Sequence, residues 1–393
     1  MSINTDLKKI ESLLLRGVDE VIDKKNLLEK LKSGKKLRIK LGIDPTSPNI
    51  HLGRSIPLLK LKDFQELGHQ IVLIIGDFTG TIGDTSDKES ERPMLSPEII
   101  KKNLKNYIEQ AGKIIDIKKS EIHYNSKWLS KLKYNDIGKQ ADQFSLNEFI
   151  SRENIKKRLD AGKRIVLREL LYPLMQAYDS VEIKADVELG GTDQRFNILA
   201  GRTLQKAYNQ EPQDIITNPL IEGLDGRKMS SSWNNTVNLF DEPKEMFGKL
   251  MSLKDEFIIK YFILLTRFDM DKINTFEKEM KAGANPRDYK LQLAFEIVKF
   301  YHSEKEAIES QKYFIKTISN KEIPDEIPEF KGKNLNILNV LIETKAIKSK
   351  SEGRRVMNQN GIKVNKEIIK NIDLELKKGD IIQKGKTFFL KIK

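Results

Sequence analysis

Two stretches that lie far apart in the chain carry residues suited to binding a phosphorylated ligand. The first covers residues 42–54, with the sequence GIDPTSPNIHLGR, and its Gly53 has no side chain to keep a ligand from the backbone. Three side chains of this stretch can contact phosphate: Thr46, His51 and Arg54. The second stretch covers residues 226–232, with the sequence GRKMSSS, and has the composition of a mobile loop whose Lys228 contacts phosphate. Each pattern also occurs in ordinary solvated turns, so neither decides the function alone.

The elements around the first stretch are a strand, a loop and the start of a helix. Residues 37–43 are an apolar run, residues 52–67 repeat apolar side chains at helical spacing, and residues 71–75 are apolar again. This β–α–β order predicts a parallel sheet with a ligand crevice at the carboxyl ends of its strands. Unpaired backbone N–H groups and the positive end of the dipole lie where the helix begins, which favours an anion there.

A second group of polar residues, Tyr172, Gln176 and Asp179, lies four and three positions apart in the apolar segment 170–179. On a helix these residues share one face and offer a hydroxyl, an amide and a carboxylate to one pocket. The alternative is a solvent-facing stripe, although the apolar neighbours leave little width for one. Pro173 fits best in a first helical turn, so we expect the helix to open or bend there.

Two further turns leave predicted strand ends at the same edge. Residues 76–86 follow the second strand and contain Asp84, which faces the crevice unless it serves only as a turn or cap residue. Residues 181–189 are predicted as a strand that leads through the glycine turn 190–194 into another helix. Asp193 in that turn can line the crevice or simply cap its helix.

Length and composition bound the class of protein. A chain of 393 residues exceeds one comfortable core and predicts two or more domains, and 38% hydrophobic residues suffice to build them. There is no cysteine for a disulfide or a thiolate metal site. We recognise no signal peptide and no apolar run of membrane-spanning length, so we expect a soluble cytoplasmic protein without a membrane partner.

The net charge of +13 is concentrated at the carboxyl end. Residues 331–393 contain 16 Lys and Arg against 6 Asp and Glu, a balance of +10. This balance points to a polyanion, most simply nucleic acid held by its phosphates, whereas the alternative is a lysine-rich solvated surface. The segment predicts two short helices followed by short strands, and Arg354 and Arg355 lie on the second helix, where phosphate contact is their predicted role.

Taken together and in this order, the two phosphate-binding stretches resemble the HIGH and KMSKS signatures of class I aminoacyl-tRNA synthetases. Residues 42–46 (GIDPT), 171–179 (LYPLMQAYD) and 190–194 (GGTDQ) are similar to the bacterial tyrosyl-tRNA synthetases, and the similarity covers nearly the whole chain. The carboxyl-terminal segment resembles the S4-like RNA-binding fold, which is named for a ribosomal small-subunit protein.

The resemblance implies an α/β protein with several folded parts. The first is a Rossmann-like nucleotide-binding catalytic domain with a parallel sheet at residues 1–222, and its region near 137–160 pairs two subunits in this family. A helical domain that begins with the second phosphate loop follows at 223–320. A linker with prolines and acidic residues at 321–334 leads to a small α+β S4-like RNA-binding domain at 335–393.

The resemblance also implies a reaction and the residues that serve it. L-Tyrosine is activated by ATP to tyrosyl-adenylate and then transferred to the 3′-terminal adenosine of tRNA(Tyr) by a homodimer. ATP is a substrate that brings Mg²⁺, and we expect no tightly bound cofactor and no metal held by the protein. The implied catalytic residues are Thr46, His51, Arg54 and Lys228. The implied ATP contacts are Gly42, Asp44, Gly53, Lys88, Arg92, Gly191, Asp193, Ser230 and Ser231. The implied tyrosine contacts are Lys40, Thr79, Asp84, Tyr172, Gln176, Asp179 and Gln194. The implied tRNA contacts are Arg354, Arg355 and Lys363.

Three positions depart from the family pattern. Arg54 stands in place of the last histidine of HIGH, which keeps a cation but changes its reach. Ser231 replaces the second lysine of KMSKS, which removes a positive charge from the pyrophosphate side. Lys40 stands where many members have a tyrosine that helps to hold the substrate phenol, and it can pair with a carboxylate or point elsewhere.

Other functions fit part of the pattern. A tryptophanyl-tRNA synthetase shares the fold and the chemistry, but Asp179 and the GGTDQ run argue against it. A catalytically silent RNA-binding protein that kept the scaffold fits Ser231 and the basic tail, although the retained polar residues of the crevice argue for catalysis. A free-standing nucleotidyltransferase of the HxGH kind would not need the carboxyl-terminal module.

Overall fold

The structure is a computed structural model that describes residues 3–84, 94–319, 327–332, 334–385 and 388–393. The chain divides into two compact units. The first unit comprises Met1–Glu242 with Lys249–Tyr301, and the second comprises Pro243–Gly248 with His302–Lys393. Most of the segment 223–320, which the sequence groups as a helical domain of its own, therefore belongs to the first unit.

The first unit contains a six-stranded sheet, and its strands are β1 Glu20–Ile22, β2 Arg38–Ile43, β3 Gln70–Ile75, β4 Glu121–Tyr124, β5 Val187–Gly191 and β6 Asp214–Asn218. The strand order is β1-β6-β5-β2-β3-β4. Neighbouring strands run parallel except for β1, which is antiparallel to β6. The predicted α/β fold with a parallel sheet is confirmed.

The helices of this unit connect and cover the strands. They are α1 Leu7–Leu15, α2 Lys24–Lys32, α3 Leu52–Glu66, α4 Thr79–Ile82, α5 Pro97–Leu104, α6 Tyr107–Gly112, α7 Ser126–Leu129, α8 Tyr134–Ala141, α9 Leu146–Ile150, α10 Glu153–Asp160, α11 Leu167–Ile183, α12 Arg195–Ala207, α14 Ile258–Leu265, α15 Met270–Lys281 and α16 Pro286–Tyr301. Helix α13, Pro243–Met251, is divided: Pro243–Gly248 belongs to the second unit and the rest to the first. Short 3-10 turns lie at Ile117–Lys119, Thr192–Gln194, Ser231–Trp233 and Asp255–Phe257. Within the described residues, no helix has the length and apolar character that a bilayer crossing requires.

Strands β2 and β3 set the edge at which the crevice opens. The sequence of β3, QIVLII, is almost entirely buried, as is typical of a parallel strand covered on both faces. The register pairs Arg38 with Gln70 and continues to Ile43 with Ile75, so both strands end at the same edge. The turns that begin with Asp44 and Gly76 therefore start side by side.

Helix α11 is longer than the sequence predicted and replaces the first half of a predicted strand. The segment 181–189 was expected to be extended, but the helix continues to Ile183 and the strand begins only at Val187. The reason is tertiary packing, since Val181 lies in a buried cluster with Ala177 of its own helix and with residues of α12. Such contacts outweigh the preference of β-branched residues for strands. Pro173 lies inside this helix instead of in its first turn.

The second unit holds a smaller sheet and its covering helices. Its helices are α17 Glu304–Phe314, a π-helical turn Ile315–Ser319, α18 Ile337–Glu343 and α19 Lys350–Asn358. Its strands are β7 Glu329–Phe330, β8 Ile362–Val364, β9 Glu367–Ile368, β10 Ile381–Lys384 and β11 Phe388–Ile392, in the order β7-β11-β10-β8-β9. Strand β7 falls inside the predicted linker 321–334, yet it pairs in parallel with β11, and Phe330 is buried in the core of this sheet.

Candidate active site

One cleft at the carboxyl ends of the strands of the first sheet collects nearly all the residues that the sequence assigned to catalysis, ATP and tyrosine. Those that line it are Gly42, Asp44, Thr46, His51, Gly53, Arg54, Thr79, Asp84, Tyr172, Gln176, Asp179, Gly191, Asp193, Gln194, Lys228, Ser230 and Ser231. Lys40 is buried and does not line the cleft. Lys88 and Arg92 lie outside the described residues.

His51 begins helix α3 and faces the cleft as a neutral donor. Its Nδ1 accepts the backbone N–H of Arg54 at 3.3 Å, which caps the helix and leaves the proton on Nε2. Burial, together with the positive charges of Arg54 and Lys228, lowers the pKa of His51 to about 3. The imidazole is therefore uncharged near neutral pH, and it is suited to donate a hydrogen bond instead of supplying a positive charge.

Arg54 braces the wall beside His51. Its Nη2 donates to the Thr46 hydroxyl at 2.9 Å, and its Nη1 donates to the Tyr107 hydroxyl at 2.8 Å and to the Asp44 carbonyl at 3.2 Å. The Thr46 oxygen accepts from this guanidinium, so its own O–H can point to a ligand. Arg54 thus fixes the position of the Thr46 side chain.

The Lys228 loop also lines the cleft. The Lys228 ammonium lies 2.9 Å from a carboxylate oxygen of Asp193, and buried Met229 places its sulfur 3.2 Å from the backbone nitrogen of Gly53. Asn235 holds the turn, because its amide oxygen accepts the Ser230 N–H at 2.8 Å and its nitrogen donates to the Lys228 carbonyl at 3.1 Å. The loop is therefore anchored on the first phosphate-binding stretch.

Asp179 forms a buried carboxylate at the other end of the cleft. The indole Nε1 of Trp128 donates to its Oδ1 at 2.7 Å, and the Asn125 amide donates to its Oδ2 at 3.2 Å. Burial raises the pKa of Asp179 to about 7. The carboxylate is 3% exposed, so a ligand hydroxyl in the cleft would meet an acceptor that water reaches poorly.

Asn125 and Trp128 are residues that the sequence interpretation missed. Asn125 directly follows β4, whose carboxyl end lies at the cleft edge, and its position after that strand was the available signal. Its oxygen also accepts the Phe78 N–H at 3.1 Å, which fixes the direction of its nitrogen. Trp128 carries no comparable signal, because a single tryptophan on a short helix is usually part of a core.

A chain of hydroxyl contacts links Asp44 to the same carboxylate. Asp44 accepts the Tyr172 hydroxyl at 2.9 Å and the Thr79 hydroxyl at 2.7 Å, and the Thr79 oxygen accepts from Asn125 at 3.0 Å. Gly76 makes these contacts possible, since a Cβ there would stand 1.9 Å from the Asp44 carboxylate. Burial and the Asp44 charge raise the pKa of Tyr172 well above its ordinary value, so its phenol stays protonated.

Asp84 is held in the cleft by an amide. The Gln194 Nε2 donates to Asp84 at 2.7 Å, and the Gln194 oxygen accepts from the buried Asn197 at 3.1 Å. The amide of Gln194 is thereby oriented from both sides. Its position orients the Asp84 carboxylate, which is the candidate partner of a substrate ammonium.

The structure corrects the expected place of Lys40. Its ammonium lies 3.0 Å from Glu188, with essentially no exposed side chain on either residue. A buried ammonium needs such a partner, and Glu188 on the neighbouring strand satisfies it below the cleft floor. The Lys40 side chain therefore does not reach the cleft, contrary to its expected place among the tyrosine contacts.

The comparisons with known proteins agree with this geometry. A family model described as "tRNA synthetases class I (W and Y)" matches residues 32–319. The tyrosine–tRNA ligase of Thermotoga maritima is 45% identical over 385 residues, which cover 97% of this chain and 96% of that protein. The tyrosine–tRNA ligase of Carboxydothermus hydrogenoformans is 46% identical over 403 residues, 98% of each chain. This chain belongs to the tyrosyl-tRNA synthetase family.

Solved structures show the same fold at lower identity. The Archaeoglobus fulgidus tyrosyl-tRNA synthetase, crystallised with L-tyrosine, matches with a TM-score of 0.62 at 23% identity over 77% of this chain and 99% of that chain. A truncated mitochondrial tyrosyl-tRNA synthetase of Aspergillus nidulans matches with a TM-score of 0.64 at 21% identity over 77% and 92%. The full-length relatives are tyrosine enzymes, so the tryptophanyl alternative is not favoured.

The second unit carries the residues predicted to contact RNA. A family model described as "Tyrosine--tRNA ligase SYY-like C-terminal domain" matches residues 317–390. Arg354 and Arg355 are exposed on α19, and Lys363 is half-buried on β8. Gly353 lets α19 pack closely, because a Cβ there would lie 2.6 Å from Leu338.

Proposed function

We propose that this cleft joins L-tyrosine to ATP and that the chain is a tyrosine–tRNA ligase. It forms tyrosyl-adenylate with release of pyrophosphate and transfers the tyrosyl group to the 3′-terminal adenosine of tRNA(Tyr). One observation carries the proposal. Asp179, with Trp128 and Asn125 on its carboxylate, lines the same cleft as His51 and Lys228. An acceptor suited to a phenol and donors suited to phosphates thus share one opening.

The first step needs no nucleophile from the protein, because the substrate carboxylate itself attacks the α-phosphorus of ATP. The protein aligns the two substrates and stabilises the charge that grows on the phosphates. Neutral His51 and the Thr46 hydroxyl donate to phosphate oxygens, and Lys228 faces the departing pyrophosphate. For the last role Lys228 exchanges its ion pair with Asp193 for the triphosphate.

Mg²⁺ enters this scheme with ATP. In the part of the chain that the structure describes, no group of three or more His, Cys, Asp or Glu side chains is arranged to hold a metal ion. Mg²⁺ commonly keeps several waters and binds substrate phosphates instead of a protein cage, so it is assigned to the nucleotide.

Specificity rests on the phenol hydroxyl, which donates to Asp179. Phenylalanine lacks this hydroxyl, so its binding would leave the Asp179 carboxylate without the donor that tyrosine provides. Tyrosyl-tRNA synthetases are themselves the standard example of such discrimination. Asp84 binds the substrate ammonium at the other side of the amino acid.

The deciding experiment is ATP–pyrophosphate exchange with tyrosine, phenylalanine and tryptophan. We expect exchange with tyrosine alone at ordinary concentrations. Exchange with tryptophan instead would identify a tryptophanyl-tRNA synthetase. Binding of tRNA without any tyrosine-dependent exchange would identify a catalytically silent RNA-binding protein.

The second unit is proposed to hold tRNA(Tyr) through Arg354, Arg355 and Lys363. Replacing both arginines by glutamate removes two phosphate contacts, so tRNA charging should fall steeply while pyrophosphate exchange stays unchanged. The control variant carries the same charge change at Lys8 and Lys9, which are exposed on α1. Equal effects of the two variants on charging would overturn the assignment. We further propose that the enzyme acts in the cytoplasm, because the sequence shows no recognisable signal peptide.

A homodimer is proposed through the region between α8 and the start of α11. Large apolar side chains are exposed there: Tyr134 (95%), Leu146 (64%), Leu159 (45%) and Leu167 (70%). Large apolar side chains exposed in one region are typical of a surface that another protein copy covers. Leu146→Glu with Leu167→Glu should halve the mass measured by sedimentation equilibrium. Leu7→Glu with Leu15→Glu, at residues that are 54% and 67% exposed on α1, serves as the control and should leave the mass unchanged.

A further inference from the structure

A lysine and a glutamate form a fully buried ion pair beneath the amino-acid end of the cleft. Lys40 on β2 and Glu188 on β5 are direct partners in the parallel register, and neither has exposed surface. Their charged atoms are 3.0 Å apart. Burying two charges commonly costs more than their attraction returns, and an apolar pair of similar size would serve stability as well. The pair therefore calls for a role other than stability.

The Glu188 carboxylate is saturated by donors. Besides Lys40 it accepts the Gln176 amide at 3.0 Å, the Ser180 hydroxyl at 2.9 Å and the amide of Gln213. Space for Gln213 depends on Gly201 of α12, because a Cβ at that position would lie 2.6 Å from the Gln213 nitrogen. The carboxylate thus has a fixed position and a fixed set of partners.

This arrangement determines the polarity of Gln176 in the cleft. A carboxylate only accepts hydrogen bonds, so the Gln176 nitrogen must point to Glu188 and its oxygen must point away. Gln176 also lines the cleft. Its oxygen is therefore the atom offered to a ligand, and an amide oxygen suits a substrate ammonium.

Lys40 acts on the same turn of α11 from the other side. Its ammonium donates to the Gln176 carbonyl at 2.8 Å and to the Ser180 hydroxyl at 2.6 Å. These residues flank Asp179 on the helix. The charged and titratable groups that act on Asp179 from neighbouring elements are Lys40 on β2, which lowers its pKa, and Glu188 on β5, which raises it. Tyr172 lies on Asp179's own helix and is electrostatically coupled to it, while Asn125 and Trp128 add only neutral donors.

We propose that the Lys40–Glu188 pair is the positioning unit of the tyrosine subsite. Glu188 fixes the Gln176 oxygen toward the substrate ammonium, and Lys40 holds the turn of α11 that carries Asp179 through its bonds to Gln176 and Ser180. Neither residue touches the substrate. The inference rests on the proposed function, because it deepens the assignment of Gln176 and Asp179 to tyrosine.

Two single variants separate the two halves of the proposal. Glu188→Gln replaces a pure acceptor by an amide that can also donate, so the polarity of Gln176 is no longer fixed. We expect KM for tyrosine and for phenylalanine to rise together by about tenfold in pyrophosphate exchange, with KM for ATP and kcat little changed. Lys40→Met removes the positive charge, so the pH at which tyrosine binding is half-lost should move up by about one pH unit. The preference for tyrosine over phenylalanine should fall at neutral pH.

Controls distinguish positioning from stability. Lys60→Met removes another buried lysine, whose ammonium donates to the carbonyls of Leu13 and Arg16 away from the cleft. The double variant Lys40→Met with Glu188→Gln leaves no uncompensated buried charge, so it should fold, and it should keep the raised KM for both amino acids. If either single variant unfolds, equilibrium tyrosine binding by the double variant provides the test.

Failure of the positioning role can be distinguished from failure of the proposed function. Wild-type protein without tyrosine-dependent exchange would refute the proposed function itself. Wild-type exchange together with Lys40 and Glu188 variants that show an unchanged KM and pH profile, or that behave like Lys60→Met, would overturn the positioning role.

Discussion

The sharpest quantitative consequence of the site concerns the buried carboxylate of Asp179 and the replacement Asp179→Asn. The change preserves shape but removes a group whose pKa rises from 3.8 to about 7 through burial. A carboxyl with a raised folded-state pKa favours the folded state fully below its unfolded pKa. That contribution is lost as the pH rises through the folded value of about 7. Wild-type protein therefore loses stability as the pH rises from 3.8 to about 7, and the variant does not.

The size of the effect follows from the two pKa values. A difference of about three pH units corresponds to about 4 kcal/mol of unfolding free energy, and more than half of it falls above about pH 5. The amide keeps one acceptor oxygen where the carboxylate offers one each to Trp128 and Asn125, but the cost of losing the second acceptor does not vary with pH. We therefore expect the stability of the variant minus that of wild type to rise by about 4 kcal/mol across the whole window.

The measurement is urea unfolding at a series of pH values, followed by tryptophan fluorescence. The chain has two tryptophans, so a Trp233→Phe background leaves Trp128, which donates to Asp179, as the only reporter. Phenylalanine exchange in the same variant checks the functional half: an uncharged amide is a weaker acceptor than a carboxylate, so the preference for tyrosine should fall. A stability difference that stays flat with pH would refute the claim that burial controls this carboxylate.

Three further outcomes follow from the cleft. Gly76→Ala should destabilise the protein by about 1–3 kcal/mol and lower its activity, because the new Cβ would displace Asp44. The control is Gly42→Ala, whose Cβ would have nothing within 4 Å. This control should fold normally and only weaken ligand binding. An unfolding curve that is the same for both variants would contradict this. His51→Ala should slow pyrophosphate exchange by about a hundredfold with little change in KM for tyrosine. Because the pKa of His51 is about 3, the wild-type exchange rate plotted against pH should show no titration of His51 above about pH 5. Ser231→Lys should speed adenylate formation up to about tenfold in rapid-quench assays, because it returns a positive charge to the pyrophosphate side. A slower rate would show that this loop cannot place the added charge against the pyrophosphate.

The sequence predicted the elements whose signals are local. The apolar runs that became β2 and β3 and the helical spacing that became α3 required no tertiary information, and they place Asp44, His51 and Gly76 at one edge. The prediction of a strand at 181–189 was wrong for its first residues, because the apolar residues Val181 and Ile183 fit a buried helix as well as a strand. Only the contact with α12 decides between the two states.

The parts of the site that escaped the sequence depend on contacts between distant segments. Trp128 became part of the site because α7 places its indole against Asp179, 51 residues away. Lys40 was expected at the cleft from its place in the motif, but a glutamate on the neighbouring strand holds its ammonium below the floor. Neither pairing can be read from spacing: the Lys40–Glu188 pair depends on β2 lying beside β5, and the Trp128–Asp179 contact depends on how α7 packs against α11.

The short strand β1 has a practical consequence for handling this chain. The family model of the catalytic region begins at residue 32, so a fragment trimmed to that boundary lacks α1 and β1 and nearly all of α2. In the full chain, β1 covers the outer rim of β6, whose residues are all buried. The trimmed fragment would present the uncovered backbone N–H and C=O groups of β6 to neighbouring molecules, and such an unpaired strand edge is a template for aggregation.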